Sequence, residues 1–402
     1  MMGERFDRTK LLIGTYCLQP YARSEAHVRA LADAGVNYLC ATPADPALLD
    51  LCQRYGLGVF ATGVLPGWWG GDGDNAGTLA EKVPVSLYEE AARALKDHPA
   101  IWGLDLGDEP SALDFPHYGR LFEAALRLFP HHFPYLNLYP NYASVPENTA
   151  SQRRSQLGVP TYQDYIDEYA RCVPSDYICY DYYMYAITIS GAYENLRVVA
   201  NKCRETGRDL WIVLQVNSNR PEEWMSLDQL RHQAYTALAF GAKSINWACW
   251  TAGWWHNEVL DGEGNQTRQY ARVCAMNREL HALGERYMRY RNESTHFLGA
   301  IDADRLTGVN QGLESSVDAG SFRSVRGENG AGVILGHMTD GTRDALMAAE
   351  VTGRAETFLT FTATKGRPRA LLNGLPAPVL PVGENEWRVR LEPWCGALIE
   401  LD

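Results

Sequence analysis

Up to about residue 290, short apolar runs alternate with amphipathic stretches. Eight runs rich in Ile, Val, Leu, Tyr and Trp read as strands: residues 11–17, 36–42, 58–64, 101–107, 134–139, 177–183, 210–216 and 244–250. They lack polar alternation, as strands covered on both faces should. Helical spacing fills the gaps. Residues 24–34 carry Val28, Leu31 and Ala32; residues 229–240 carry Leu230, Ala234, Leu238 and Ala239; residues 270–287 carry Val273, Met276, Leu280 and Leu283. Strand–helix alternation implies a parallel sheet, and eight units close most naturally as a (β/α)8 barrel. After about Arg291 helical spacing disappears. Short glycine-punctuated segments follow at residues 332–335, 357–361, 369–372, 387–391 and 397–401, the pattern of an all-β sandwich. The expected organisation is α/β: a barrel over residues 1–290, then a small β-sandwich over residues 291–402.

Bulk properties narrow the function. The 402 residues suffice for a large barrel and a smaller module. A net charge of -12 without a Lys/Arg cluster argues against a nucleic-acid surface. No apolar run approaches the ~18–20 residues that span a bilayer, and the early run at residues 11–14 lacks the flanks of a signal peptide. Nine scattered cysteines without a CxxC pair read as reduced thiols, which points to the cytoplasm. No HExxH, His/Cys cluster, P-loop or GxGxxG is present, so neither metal nor cofactor is expected.

The strongest local signal is Ile101-Trp102-Gly103-Leu104-Asp105-Leu106-Gly107-Asp108-Glu109-Pro110. It reads as a buried strand that ends on adjacent acids, Asp108 and Glu109, before a proline that cannot continue the pairing. An isolated Asp-Glu-Pro usually marks a solvated helix start. After a buried barrel strand it stands where catalytic groups sit. Asp105, inside the strand, is expected to make a structural hydrogen bond. Other strand ends also carry polar or aromatic groups: Trp68 and Trp69 after the third; Asn137 and Tyr139 at the fifth; Asp181, Tyr182 and Tyr183 at the sixth; Gln215 and Asn217 at the seventh; Trp247, Trp250, Trp254, Trp255 and His256 at and after the eighth. Singly, each Trp pair is packing. Together with the amides and acids they suit a carbohydrate, whose CH faces stack on rings and whose glycosidic oxygen needs a protonated carboxyl.

The fourth strand resembles the Gly…Asn-Glu-Pro signature of the clan A glycoside hydrolases, (β/α)8-barrel enzymes in which a β-sandwich often follows the barrel. The resemblance implies that Glu109 is the acid/base and that Asp108 stands where the family has a sugar-contacting asparagine. It implies that Tyr182 or Tyr183 supports the nucleophile and that Trp250 or Trp247 floors the sugar subsite. The chain departs at the seventh strand. The family's nucleophilic glutamate is replaced by Gln215, and an amide cannot form the glycosyl ester. Three readings stay open. A 2-acetamido group of the substrate attacks, with Asp108 orienting it. Asp181 acts as nucleophile or base, with Glu258 a remoter choice. Or the barrel binds sugar without cleaving it. In the first two, Asn137, Tyr182, Gln215 and Trp250 hold the sugar, and the Trp68–Trp69 and Trp254–Trp255 loops wall the cleft. The sandwich is expected to stabilise the barrel or to form a homo-oligomer contact.

Overall fold

Eight parallel strands form one sheet: β1 (Leu12–Tyr16), β2 (Tyr38–Pro43), β3 (Gly58–Thr62), β4 (Ile101–Asp108), β5 (Phe133–Asn137), β6 (Tyr177–Tyr182), β7 (Asp209–Gln215) and β8 (Ala242–Ala248). Their order is β5-β4-β3-β2-β1-β8-β7-β6. The two outer strands meet where Leu138 N donates to Cys179 O at 2.9 Å, just past the end of β5. This nearly closes the barrel that the alternation predicts. The computed structural model describes residues 5–70, 74–148, 154–309 and 312–402. Around the sheet lie α1 (Glu25–Asp33), α2 (Pro46–Arg54), α3 (Leu79–Lys82), α4 (Val85–Ala94), α5 (Phe115–Leu128), α6 (Tyr162–Cys172), α7 (Ile189–Thr206), α8 (Leu227–Ala239) and α9 (Arg268–Tyr287). Their starts are locally encoded. At α8, Ser226 Oγ accepts from Gln229 N at 3.1 Å and Gln229 Oε1 accepts from Ser226 N at 2.8 Å, a reciprocal cap that satisfies two orphan donors. Among the described residues no helix is long and apolar enough to cross a membrane.

Period-two alternation sorts the barrel interior into layers. The inward residues of β5 run Phe133, Tyr135, Asn137, and those of β6 run Tyr177, Cys179, Asp181, from an aromatic base to a polar mouth. At the base, Trp211 stacks on Phe133 with centroids 4.8 Å apart and lies 5.3 Å from Tyr177. Phe60 and Phe6 complete the plug, Phe60 stacking on Phe133 at 5.6 Å and Phe6 meeting it edge-on at 5.5 Å. One layer up, the Tyr16 and Tyr135 hydroxyls pair at 2.6 Å.

The chain's described residues then build an all-β unit from the strands β9 (Arg291–Gly299), β10 (Val317–Ala319), β11 (Phe322–Glu328), β12 (Gly332–Thr339), β13 (Asp344–Glu350), β14 (Thr357–Ala363), β15 (Pro368–Leu372), β16 (Leu375–Ala377), β17 (Val379–Gly383), β18 (Glu386–Leu391) and β19 (Gly396–Leu401). They form two antiparallel sheets, β10-β11-β14-β18-β17 and β16-β15-β19-β13-β12-β9. Phe322, Leu359, Phe361 and Val389 of the first share a core with Leu335, Leu346 and Ile399 of the second. The other face of the second sheet, with Ile334, Met347 and Leu398, joins the barrel's core beside α8. Because both faces are covered, β13 is apolar almost throughout, so alternation did not reveal it. The five segments read from the sequence lie in β12, β14, β15, β18 and β19; the rest went unseen. Between the two units, Tyr290 OH donates to Glu400 Oε1 at 2.8 Å and Arg286 pairs with Glu400 Oε2 at 2.5 Å.

If the aromatic plug supports the barrel, Trp211→Ala lowers unfolding free energy by about 3–5 kcal/mol. Denaturant titration at constant m-value measures it. A loss under about 1 kcal/mol would mean that the base repacks without this ring.

Candidate active site

β4 delivers two consecutive carboxyls to one place, which ordinary alternation forbids. Two backbone features make it possible. Gly107 has φ +145°, and a Cβ there would lie 2.3 Å from Tyr118 Oη and 2.9 Å from Trp68 O. Only glycine allows the loop after β3 to lie against the strand, where Asp108 N donates to Trp68 O at 2.8 Å and Gly70 N to Asp108 O at 3.0 Å. Glu109 then turns into the left-handed region at φ 46°, a conformation costing roughly 1–2 kcal/mol for a residue with a Cβ. It is held there by Glu109 N donating to Asn137 O at 2.9 Å and by Tyr165 Oη donating to Pro110 O at 2.7 Å. Asp105 Oδ1 accepts from Gly107 N at 2.9 Å, the structural bond expected of it.

At the carboxyl ends of the strands lies a cavity of about 300 Å³ lined by Tyr16, Trp69, Asp108, Glu109, Asn137, Tyr142, Asp181, Tyr183, Val213 and Trp254. Asn137 is its centre. One amide nitrogen donates to Asp108 Oδ1 at 3.1 Å and to Asp181 Oδ1 at 2.8 Å. Its Oδ1 accepts from Cys179 Sγ at 3.4 Å, which sets the amide's orientation. Trp69 Nε1 donates to Glu109 Oε2 at 3.1 Å. Three carboxyls therefore share a small volume, and no Arg, Lys or His is among its described lining residues. Burial, then the facing charges of Asp181 and Asp108, pushes Glu109 up to about 9. Burial raises Asp181 and Asp108 as well; the charge of Asp108 adds to the rise at Asp181, while bonds from Asn137 oppose the rise at both. A proton-bearing carboxyl at neutral pH is what a general acid requires.

The aromatic walls come from several elements. Tyr183 meets Trp255 edge-on at 5.0 Å and Trp254 at 5.8 Å, and Trp254 meets Tyr16 at 6.2 Å. Trp69 is 58% exposed at the rim. Other residues named from the sequence lie elsewhere. Trp247 faces the helix layer, with Nε1 donating to Asn277 Oδ1 at 2.9 Å, and Trp250 packs edge-on against Tyr270 of α9. Gln215 serves backbone groups: its Oε1 accepts from Tyr185 N and its Nε2 donates to Asn217 O, both at 3.0 Å. Asn217 Nδ2 in turn donates to Trp254 O, so these two amides brace the loops that carry the walls. Tyr139 is buried beside Tyr165, and Tyr182 reaches Thr188 at 3.4 Å. Trp68 contributes its carbonyl, and the exposed His256 pairs through its backbone with Ser218. Glu258 is half-buried away from the cavity lining. Three lining residues were not anticipated. Tyr16 and Val213 follow from inward parity in β1 and β7, whereas Tyr142 stands on the loop after β5 and carries no periodic signal. Among the described residues no group of three or more His, Cys, Asp or Glu is arranged to hold a metal ion.

No protein-family model matches the sequence, and a search of curated proteins returns no similar chain. Solved structures share the fold. A GH42 β-galactosidase from G. stearothermophilus, solved as a catalytic mutant, is 8% identical, covers 100% of this chain with 99% of its own, and superposes with a TM-score of 0.55. An α-amylase from H. orenii is 10% identical, covers 99% of this chain with 100% of its own, and has a TM-score of 0.52. At such identities the likeness is one of fold.

The raised carboxyls have a consequence for stability. Above the unfolded-state value of about 4, the unfolded chain releases protons that the folded cavity retains, so stability falls as pH rises. Asp181→Asn removes one such group. It is expected to be more stable than the parent at pH 8 by on the order of 1–3 kcal/mol, with the gain vanishing near pH 4. Denaturant midpoints across that range test it; a gain that does not change with pH would contradict the burial argument.

Proposed function

We propose that this chain is a glycoside hydrolase in which Glu109 is the general acid/base. The observation that carries the reading is the convergence of Glu109, Asp108 and Asp181 in one aromatic-walled cavity with no basic residue among its described lining. Glu109 would protonate the departing glycosidic oxygen, with Trp69 holding its second oxygen. Asp181 would act at the anomeric carbon as nucleophile, or as base toward water. Asp108 would orient substrate, and its charge would keep Asp181 from ionising until a sugar enters. Trp69, Trp254, Tyr16, Tyr142 and Tyr183 offer faces for the sugar ring. A cavity of about 300 Å³ suits a small ligand portion such as one sugar ring. In this division of labour the barrel over residues 1–290 does the chemistry, and residues 291–402 support it.

A second route is favoured by one observation. The β7 residue at the cavity is Val213, and Gln215 is committed to backbone groups, so β7 presents no carboxylate. A 2-acetamido group of the substrate would then attack the anomeric carbon, with Asp181 or Asp108 orienting it.

Glu109→Gln is expected to lower kcat/KM by roughly 10²–10⁴-fold on glycosides with poor leaving groups, and by less on activated aryl glycosides. Unchanged activity would remove Glu109 from the chemistry. In the parent, the alkaline limb of the pH–rate profile should lie well above the ordinary carboxyl range, because that limb reports loss of the Glu109 proton. Cleavage of 2-acetamido aryl glycosides with none of their 2-hydroxy counterparts would select the substrate-assisted route. Sugar binding without turnover across both sets would make the barrel a binding module.

A further inference from the structure

β1 and β8 pair in constant register: Leu12 with Ser244, Ile13 with Ile245, Gly14 with Asn246 and Thr15 with Trp247. Cys17 directly follows β1 and Cys249 directly follows β8. Past the strand ends the two segments stay side by side, Trp250 N donating to Tyr16 O at 2.9 Å and Thr251 N to Cys17 O at 3.2 Å. The two thiols are near enough that each shifts the other's titration. Gly253 crosses over them, and a Cβ there would come within 2.8 Å of both sulfurs. The sulfurs thus point to one spot under a loop that only glycine lets pass.

We propose that Cys17 and Cys249 form a reversible dithiol–disulfide site just past the ends of β1 and β8, oxidised by a peroxide. Cys17 is partly exposed and Cys249 is buried, which orders the steps. The Cys17 thiolate attacks one peroxide oxygen, the O–O bond breaks, and the other oxygen leaves as water or alcohol. The resulting Cys17 sulfenic acid is then attacked by the Cys249 sulfur. The S–O bond breaks, water leaves, and the S–S bond forms. Two electrons and two protons pass from the protein to the peroxide. The neighbouring Cys249 thiol holds the Cys17 thiol below its usual value, whereas burial holds Cys249 above its own. That division matches an attacking and a resolving thiol. The bond would tie the end of β1, which carries Tyr16, to the end of β8, which leads to Trp254. Both are cavity walls.

Hydrogen peroxide applied to the folded protein, followed by alkylation and peptide mass mapping, tests this directly. The expected product is a Cys17–Cys249 linked peptide two hydrogens lighter than the separate peptides. Thiols titrated after unfolding fall from nine by two, and a dithiol reductant restores them. In Cys249→Ser, oxidation should stop at Cys17 as a sulfenic acid trapped by dimedone. Absence of the linked peptide overturns the proposal, whether Cys17 stays free or proceeds to sulfinic acid in the unsubstituted protein.

Discussion

The aromatic packing at the base of the barrel sets the conditions for everything above it. Trp211, Phe133, Phe60, Tyr177 and Phe6 fill the interior. A ring-packed base excludes water, so carboxyls at the mouth face a poorly polarisable floor. Their ionised forms lose hydration and face no cation among the described lining residues. Burial at the mouth, then the charges of Asp181 and Asp108, push Glu109 above the ordinary carboxyl range.

Above that floor, the polar groups are positioned by a short series of hydrogen bonds. Cys179 orients Asn137, whose single amide nitrogen then serves Asp108 and Asp181 together. A buried network of this kind is stable only when its members are satisfied together. The left-handed turn at Glu109 adds a local cost, offset by the bond to Asn137 O and by the loop that Gly107 admits. Strain, desolvation and shared hydrogen bonds all fall on the same few residues at the mouth. Such concentration of cost is characteristic of sites kept for their chemistry.

The β-domain depends on the barrel for one of its faces. Its larger sheet is apolar on both sides, one meeting the smaller sheet and the other joining the barrel core beside α8. Glu400, 6% exposed, receives Arg286 and Tyr290 across that boundary. Removing the barrel would uncover an apolar sheet face and leave a buried carboxylate without its partners. The two units therefore behave as one body in packing, though they read as two in sequence.

How much was legible follows from the range of each signal. Hydrophobic periodicity, turn residues and the carboxylate pair after a buried strand are local, and from them came the barrel, its strand positions and the placement of Asp108, Glu109, Asn137 and Asp181 at strand ends. Strands covered on both faces, such as β13, lose their alternation, so much of the β-domain was invisible. The direction of side chains past the strand ends was equally hidden. Trp247, Trp250 and Gln215 look as suited to a sugar as Trp254, Tyr183 and Asn137 do. The first three turn to helices and loop backbone, and the second three turn to the cavity. The sequence by itself determined which residues end each strand. Only the tertiary structure decided which of them share a volume, because barrel closure brings together positions far apart in the chain, and the burial and charge coupling that shift their protons exist only once it has closed.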